Sequence, residues 1–295
     1  MSVMTSVAPA ARPSALRRLI SQHPLASLFI LIYALEWLTM VPAALESQGL
    51  LPFHLPDILA FTTGWAPAIA AVIVTGAVSG KAGIRALFSR FLRWRVGIQW
   101  YVVALGGIAA LILGGLGLYG ALGNPVPALP IAGADLGSAV FAFVVTIAMG
   151  LLLNTEEIAW RGVALPRLQA THSALIASLL LAVVEGLTHL PYAWTAGTFV
   201  NTIGVAWFMG FSFALTIIYS WVFNNTKGSL LLVTLLHASQ NTWANLLSPD
   251  APGPFYVTAG LTWAVAIALV VIFGAARLSR KPAAETPDLV EPAQA

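Results

Sequence analysis

Long apolar runs, separated by short polar stretches, set the pattern of this chain. Eight of them reach the roughly 20 residues that an α-helix needs to cross a bilayer. They are about Leu25–Leu45, Ile58–Val78, Ile98–Gly120, Ser138–Pro166, Ala174–Tyr192, Phe199–Phe223, Ser229–Leu247 and Phe255–Ala276. Each predicts a spanning helix. Glycine and proline inside them, such as Pro67 and the pairs Gly106–Gly107 and Gly114–Gly115, are tolerated in membrane helices, where neighbours re-satisfy freed backbone groups. Small residues there mark close helix contacts. The first run follows two arginines, as the core of a signal peptide does. It is too long for that and Glu36 interrupts it, so it reads as an uncleaved helix.

Composition then excludes a soluble globule. Apolar residues make up 59% of the 295 and charged residues 8%, against about 25% charged in a soluble domain; mean hydropathy is +0.86. The net charge of +3 lies in alternate loops, which argues for a membrane and against nucleic acid. Arg12, Arg17 and Arg18 precede the first run. Lys81, Arg85, Arg90, Arg93 and Arg95 lie between the second and third, Arg167 after the fourth, Lys227 after the sixth, and Arg277, Arg280 and Lys281 after the eighth. The loops Glu46–Asp57, Ala121–Gly137, Ala193–Thr198 and Ser248–Pro254 hold no Lys or Arg. Eight spans with both termini cytoplasmic satisfy this alternation; an odd number breaks it. The expected fold is an all-α polytopic membrane bundle of about eight helices. The absence of cysteine excludes disulfides, thiolate metal sites and a cysteine nucleophile. In Lys81–Gly97, Leu87, Phe88, Phe91, Leu92 and Trp94 recur at near-helical spacing among arginines. That reads as an interfacial helix in a cytoplasmic loop, or as a docking surface for a substrate tail or anionic lipid.

An ionisable group at membrane depth is a functional candidate by default, because its burial is unfavourable unless it is paired or hydrated. The fourth run ends in N-T-E-E-I-A-W-R-G. Helical spacing puts Glu157 and Arg161 at i,i+4, in the favourable order for an ion pair, and turns Glu156 about 100° away. The fifth run carries Glu185 and His189 at i,i+4, and the seventh His237 and Asn241 at i,i+4. Each set alone is equally readable as a structural ion pair or as polar contacts between helices. Depth links them. Glu156 lies 16 residues before His172 and His189 lies 17 after it, so in an antiparallel hairpin both stand roughly 25 Å from the turn. His237, nine residues beyond Gly228, lies about 13 Å in from the same side. The three sets are expected to meet at one depth, in a site open towards the cytoplasm. Such a set suits peptide hydrolysis, which needs a base for water, an acid for the leaving amine and donors for the oxyanion.

The order E-E-x-x-x-R, then a His on the next span, then H-x-x-x-N two spans later resembles the CAAX-protease and bacteriocin-processing family of intramembrane endopeptidases, also called Abi. The resemblance covers about Ser138–Leu247 and is similar to the type 2 CAAX prenyl proteases. It implies Glu156 as the base that activates water, His189 as the second catalytic group, and His237 with Asn241 as the oxyanion site. Glu157 and Arg161 would support them. The family's second motif carries Phe where this chain has Glu185. That third acid is read as a modulator of the site, as a metal ligand, or as a bystander. The expected cofactor is none. The alternative is zinc, with Glu156, His189, His237 and Glu185 as ligands; the lack of H-E-x-x-H and the poor ligand quality of Asn argue against it.

The expected organisation is a cytoplasmic segment 1–24, three spans with the basic loop in 25–137, a catalytic core 138–247, and a last span with a disordered tail in 248–295. The expected partners are a peptide or lipidated protein as substrate, with CAAX tails or leader peptides as candidates, and membrane lipids; no nucleic acid is expected. The resemblance implies a multi-pass protein of a bacterial cell membrane. The rival from another class is a proton-coupled secondary transporter, which would show polar motifs in both halves. Here they lie in the fourth to seventh runs.

Overall fold

The structure, a computed structural model, describes residues 14–280 except Leu55, Asp57 and Asp250. Arg12, Lys281 and the tail beyond it, expected to be disordered, lie outside the described residues, as does Asp57. Among the described residues every regular element is helical. The helices are α1 (Ala15–Gln22), α2 (Pro24–Ser47), α3 (Ile58–Ser89), α4 (Ile98–Ala121), α5 (Leu136–Leu153), α6 (Glu156–Ala159), α7 (Leu165–Gln169), α8 (Ala174–Thr188), α9 (Phe199–Ile203), α10 (Val205–Asn225), α11 (Leu230–Leu247) and α12 (Pro252–Phe273). A π-turn at Trp160–Ala164 joins α6 to α7, and a 3₁₀ turn at Leu190–Trp194 follows α8.

Among the described residues six helices, in α2, α3, α4, α5, α10 and α12, are long and apolar enough to cross a membrane, where the sequence predicts eight. The other two expected spans are present as α8 and α11. Helix α8 has only 15 residues, because it stops before His189. Helix α11 has 18 residues but carries Thr234, His237, Gln240, Asn241 and Asn245, which dilute its apolarity. Two predicted runs are also broken. The fourth is interrupted at Asn154, whose backbone is extended (φ −95°, ψ 96°). The sixth is divided into α9 and α10 at Gly204, whose φ of 83° suits glycine.

The core centres on Leu28, Ile32, Ala70, Ala71, Trp160, Leu181, Val222 and Leu236. Outside it, large apolar side chains such as Ile30, Leu38, Val102, Phe141 and Val271 are exposed, as they would be against lipid tails. Helix α5 buries none of its residues; it lies along α11, with Phe143 against Trp243 at 4.9 Å and Gly150 against Ala238. The pair Gly114–Gly115 marks a close crossing, since a Cβ on Gly115 would lie 2.1 Å from Thr258 Oγ1 of α12. The pair Gly106–Gly107 marks none: no other helix approaches within 4 Å of a Cβ placed there.

The basic loops gather at one end. Ala174 and Leu175 donate to the carbonyls of Ala276 and Ala275, Asn224 and Asn225 to those of Arg277 and Leu278, and Arg93 to that of Lys227. The loops without Lys or Arg gather at the other. Gln48 donates to the Trp194 carbonyl, Ala196 to the Ser47 hydroxyl and Ile131 to the Leu246 carbonyl. At this second end Asp135 caps α5, accepting from the Ser138 hydroxyl and N–H. Those bonds hold its exposed carboxyl below the usual aspartate range. In the basic segment, α3 kinks at Gly80 (φ 62°) and runs on to Ser89. Leu87 and Arg90 are buried, while Phe88, Leu92 and Trp94 stay exposed.

Candidate active site

Proline makes the first opening. Pro67 has no N–H to donate inside α3, and Thr155 fills the disturbed ladder. Its N–H and hydroxyl both donate to the Gly64 carbonyl, at 3.2 and 2.7 Å. The same hydroxyl accepts from the Ala68 N–H at 3.3 Å. The approach requires glycine at 64, because a Cβ there would lie 2.2 Å from the Leu153 carbonyl oxygen. Thr155 thus fixes the start of α6, and with it Glu156 and Glu157.

Glu157 and Arg161 form the expected ion pair at 3.1 Å, with relative exposures of 0% and 1%. The π-turn between them and α7 places an extra residue in the helix, a feature that recurs at functional sites. Arg90 holds it from the basic segment by donating to the Gly162 carbonyl at 2.7 Å. Arg161 is more than half of a pair. It also reaches Glu185 Oε1 at 2.9 Å, and its guanidinium lies 4.7 Å from the centre of the Tyr219 ring. Thr216 donates to the other Glu185 oxygen at 3.3 Å. Glu185, standing where the resembling family has Phe, is therefore a second counter-charge for Arg161.

Glu157 has a further partner, His237, whose Nδ1 lies 2.9 Å from Glu157 Oε1. A carboxylate only accepts, so Nδ1 carries the hydrogen and Nε2 remains for other use. His189 follows the same logic. It ends α8, with Nδ1 3.1 Å from both the Glu185 carbonyl and the Thr188 hydroxyl. The carbonyl fixes Nδ1 as the donor, again leaving Nε2. Rings of Phe208 and Tyr192 flank His189 at 5.2 and 6.0 Å. Glu156 accepts a long bond from Trp160 Nε1 at 3.3 Å and is within electrostatic reach of both histidines.

Glu156, His189, His237 and Asn241 all line one cavity of about 680 Å³, together with Arg161 and Glu185. The three sequence motifs therefore meet, as their depths required. The cavity runs opposite to the expected direction. Its wall follows His237, Asn241, Asn245 and Ser248 up α11, and it reaches Thr198, Phe199, Pro249 and Pro252. Those last residues belong to the loops without Lys or Arg, not to the basic end. Towards the basic end, Trp160, Leu165 and Leu168 are buried.

One of the alternative zinc ligands is already engaged by other groups. Glu185 is bound to Arg161 and Thr216. Among the described residues no group of three or more His, Asp or Glu side chains is placed to hold a metal ion. Four cavity residues were not singled out from the sequence: Asn154, whose Oδ1 accepts from the Glu156 N–H, Tyr192, Tyr219 and Gln240. Tyr219 donates to Gln240 Oε1 at 2.8 Å. The signal for Gln240 was its place one turn beyond His237; Tyr219 looked like any aromatic in an apolar span. Glu36, on α2, interrupts the first run in the sequence, and in the structure it is buried.

Residues 135–243 match the family model described as Rce1-like, type II CAAX prenyl endopeptidase. The match falls on the segment that carries all three motifs and bears out the family they resemble. No curated protein matches the sequence significantly.

Proposed function

We propose that this multi-pass membrane protein, with its Rce1-like core, is an intramembrane endopeptidase that hydrolyses peptide bonds by a glutamate-activated water. Glu156 accepts a proton from water that His189 Nε2 orients. The hydroxide attacks the scissile carbonyl carbon, and the oxyanion is met by Asn241 Nδ2–H and His237 Nε2–H. Because His237 Nδ1 already donates to Glu157, Nε2 donates only when the ring is an imidazolium, and Glu157 supplies its counter-charge. Protonated Glu156 then gives its proton to the leaving amine as the C–N bond breaks, leaving a carboxylic acid and a free amine. The observation that carries this reading is the shared cavity: both histidines are held through Nδ1 beside it, with Glu156 and Asn241 in the same wall.

On this reading the eight apolar segments cross the bilayer and both ends lie in the cytoplasm, as the basic loops favour. The cavity then communicates with the non-cytoplasmic side. A peptide segment presented from that side, such as a leader or exported peptide, suits the route better than the tail of a cytoplasmic prenylated protein. Hydrolysis of a peptide by purified protein tests the reaction. Asn241→Ala should lower turnover roughly 10²–10³-fold, as for loss of one oxyanion donor, with little change in KM. Zinc bound stoichiometrically, with activity lost on chelation and restored by zinc alone, would overturn the mechanism.

A further inference from the structure

A proline follows the π-turn that carries Arg161. Pro166, in α7, has no N–H, so the carbonyl four residues back, that of Gly162, loses its donor within the helix. Gly162 is buried, and a buried carbonyl without a partner is destabilising. Arg90 supplies the missing donor from outside residues 135–243, its Nη1 donating to the Gly162 carbonyl at 2.7 Å. Arg90 is itself 8% exposed, and among the described residues no carboxylate lies within ion-pair distance of it. The position uses a hydrogen-bond donor of the right reach, not one half of an ion pair.

Packing fixes the same residue. A Cβ on Gly162 would stand 2.8 Å from Cδ1 of Leu87, one turn before Arg90, and 3.4 Å from Cδ1 of Leu230 at the start of α11. Both leucines are buried. The basic segment also grips a second element. Arg90 opens a 3₁₀ turn, Arg90–Leu92, and Arg93, just beyond it, donates to the Lys227 carbonyl. Lys227 lies in the turn between α10 and α11 with φ 58°, a left-handed conformation uncommon outside glycine. From that turn α11 runs to His237. Arg90 thus holds the π-turn, which continues α6 and its Glu157, while Arg93 holds the entry to the helix of His237. The two elements meet where Glu157 Oε1 lies 2.9 Å from His237 Nδ1.

We infer that Arg90 is a positioning residue of the active site, a strut by which the basic segment sets the π-turn so that Glu157 meets His237. It touches neither the cavity nor the reacting groups and acts through the Gly162 carbonyl. The kinetic part of this inference rests on the proposed peptidase reaction; the placement of the His237 ring does not.

The test uses full-length protein in detergent. The ring N–H proton of His237 is followed by NMR in histidine-labelled protein and assigned by its loss in His237→Gln; bonded to a carboxylate, it resonates far downfield. Arg90→Met keeps most of the aliphatic stem and removes the donor. It should move the resonance upfield and lower kcat about tenfold or more at unchanged KM, as for a small misplacement of catalytic groups. Arg90→Lys, which keeps a donor of similar reach, should retain the resonance and stay within about threefold of the wild-type kcat. Arg85→Met removes the same charge from an exposed position of the segment and should behave as wild type. A folded Arg90→Met protein with wild-type kcat and an unmoved resonance would overturn the inference. Equal losses in Arg90→Met and Arg85→Met would also overturn it, since the charge of the segment would then be what matters. Pro166→Ala returns an N–H to the Gly162 carbonyl, so Arg90→Met in that background should recover the resonance and most of the turnover. If Arg90→Met alone fails to fold, this double variant decides: recovery supports the strut, and none contradicts it. Without a cleavable peptide the resonance decides by itself.

Discussion

His237 is anchored by Glu157: its Nδ1 stands 2.9 Å from the same carboxylate oxygen that Arg161 reaches at 3.1 Å. The residue that the sequence assigns to an ion pair thus also orients a proposed oxyanion donor on another helix. Glu157, Arg161, Glu185 and His237 form one connected network, and changes to any member should be felt by the others.

Arg161 joins two buried carboxylates, so its loss should be severe. Arg161→Ala leaves Glu157 and Glu185 without their cation, a destabilisation of roughly 3–5 kcal/mol for breaking a buried pair. Thermal unfolding in detergent should fall sharply, with activity lost alongside. A variant of normal stability and no activity would show that Arg161 takes part in the chemistry.

Glu185→Phe restores the residue that the resembling family carries. Arg161 keeps Glu157, so turnover is expected to stay within about tenfold of wild type, with a modest loss of stability. Abolished turnover in a stable variant would give Glu185 a direct catalytic part.

The chain has no cysteine, which makes single-cysteine labelling clean. Thr198→Cys and Ser248→Cys, at the uncharged-loop end of the cavity, should react in intact cells with a membrane-impermeant thiol reagent. Lys227→Cys, at the basic end, should be protected. The reverse pattern would place the cavity mouth in the cytoplasm and return CAAX tails to the list of candidate substrates.

Much of this was legible in the residues. Glu157 and Arg161 pair because i,i+4 spacing is a local property of a helix. The meeting of Glu156, His189 and His237 followed from counting 1.5 Å steps from shared turns. What was not legible depends on partners distant in sequence. Thr155 plugging the ladder beside Pro67 joins residues 87 and 91 apart. His237 choosing Glu157 joins α11 to α6. Tyr33 and Trp37 of α2 reach carbonyls of α8 that lie 151 residues away in the chain. The direction of the cavity is not legible in the sequence, because apolar runs fix depth but not which helices leave space between them. The span count differed because the two helices that carry His189 and His237 are shortened or made polar by the site itself.

The most direct test of the account is the turnover of Glu156→Gln on a peptide that the wild-type protein cleaves. Glutamine keeps the shape of the side chain and its bond from Trp160 but cannot take a proton from water. Thermal unfolding should be unchanged, and kcat should fall roughly 10³-fold or more, within the range for loss of a general base. A stable Glu156→Gln protein that turns over at near the wild-type rate would contradict the assignment of Glu156 as the base.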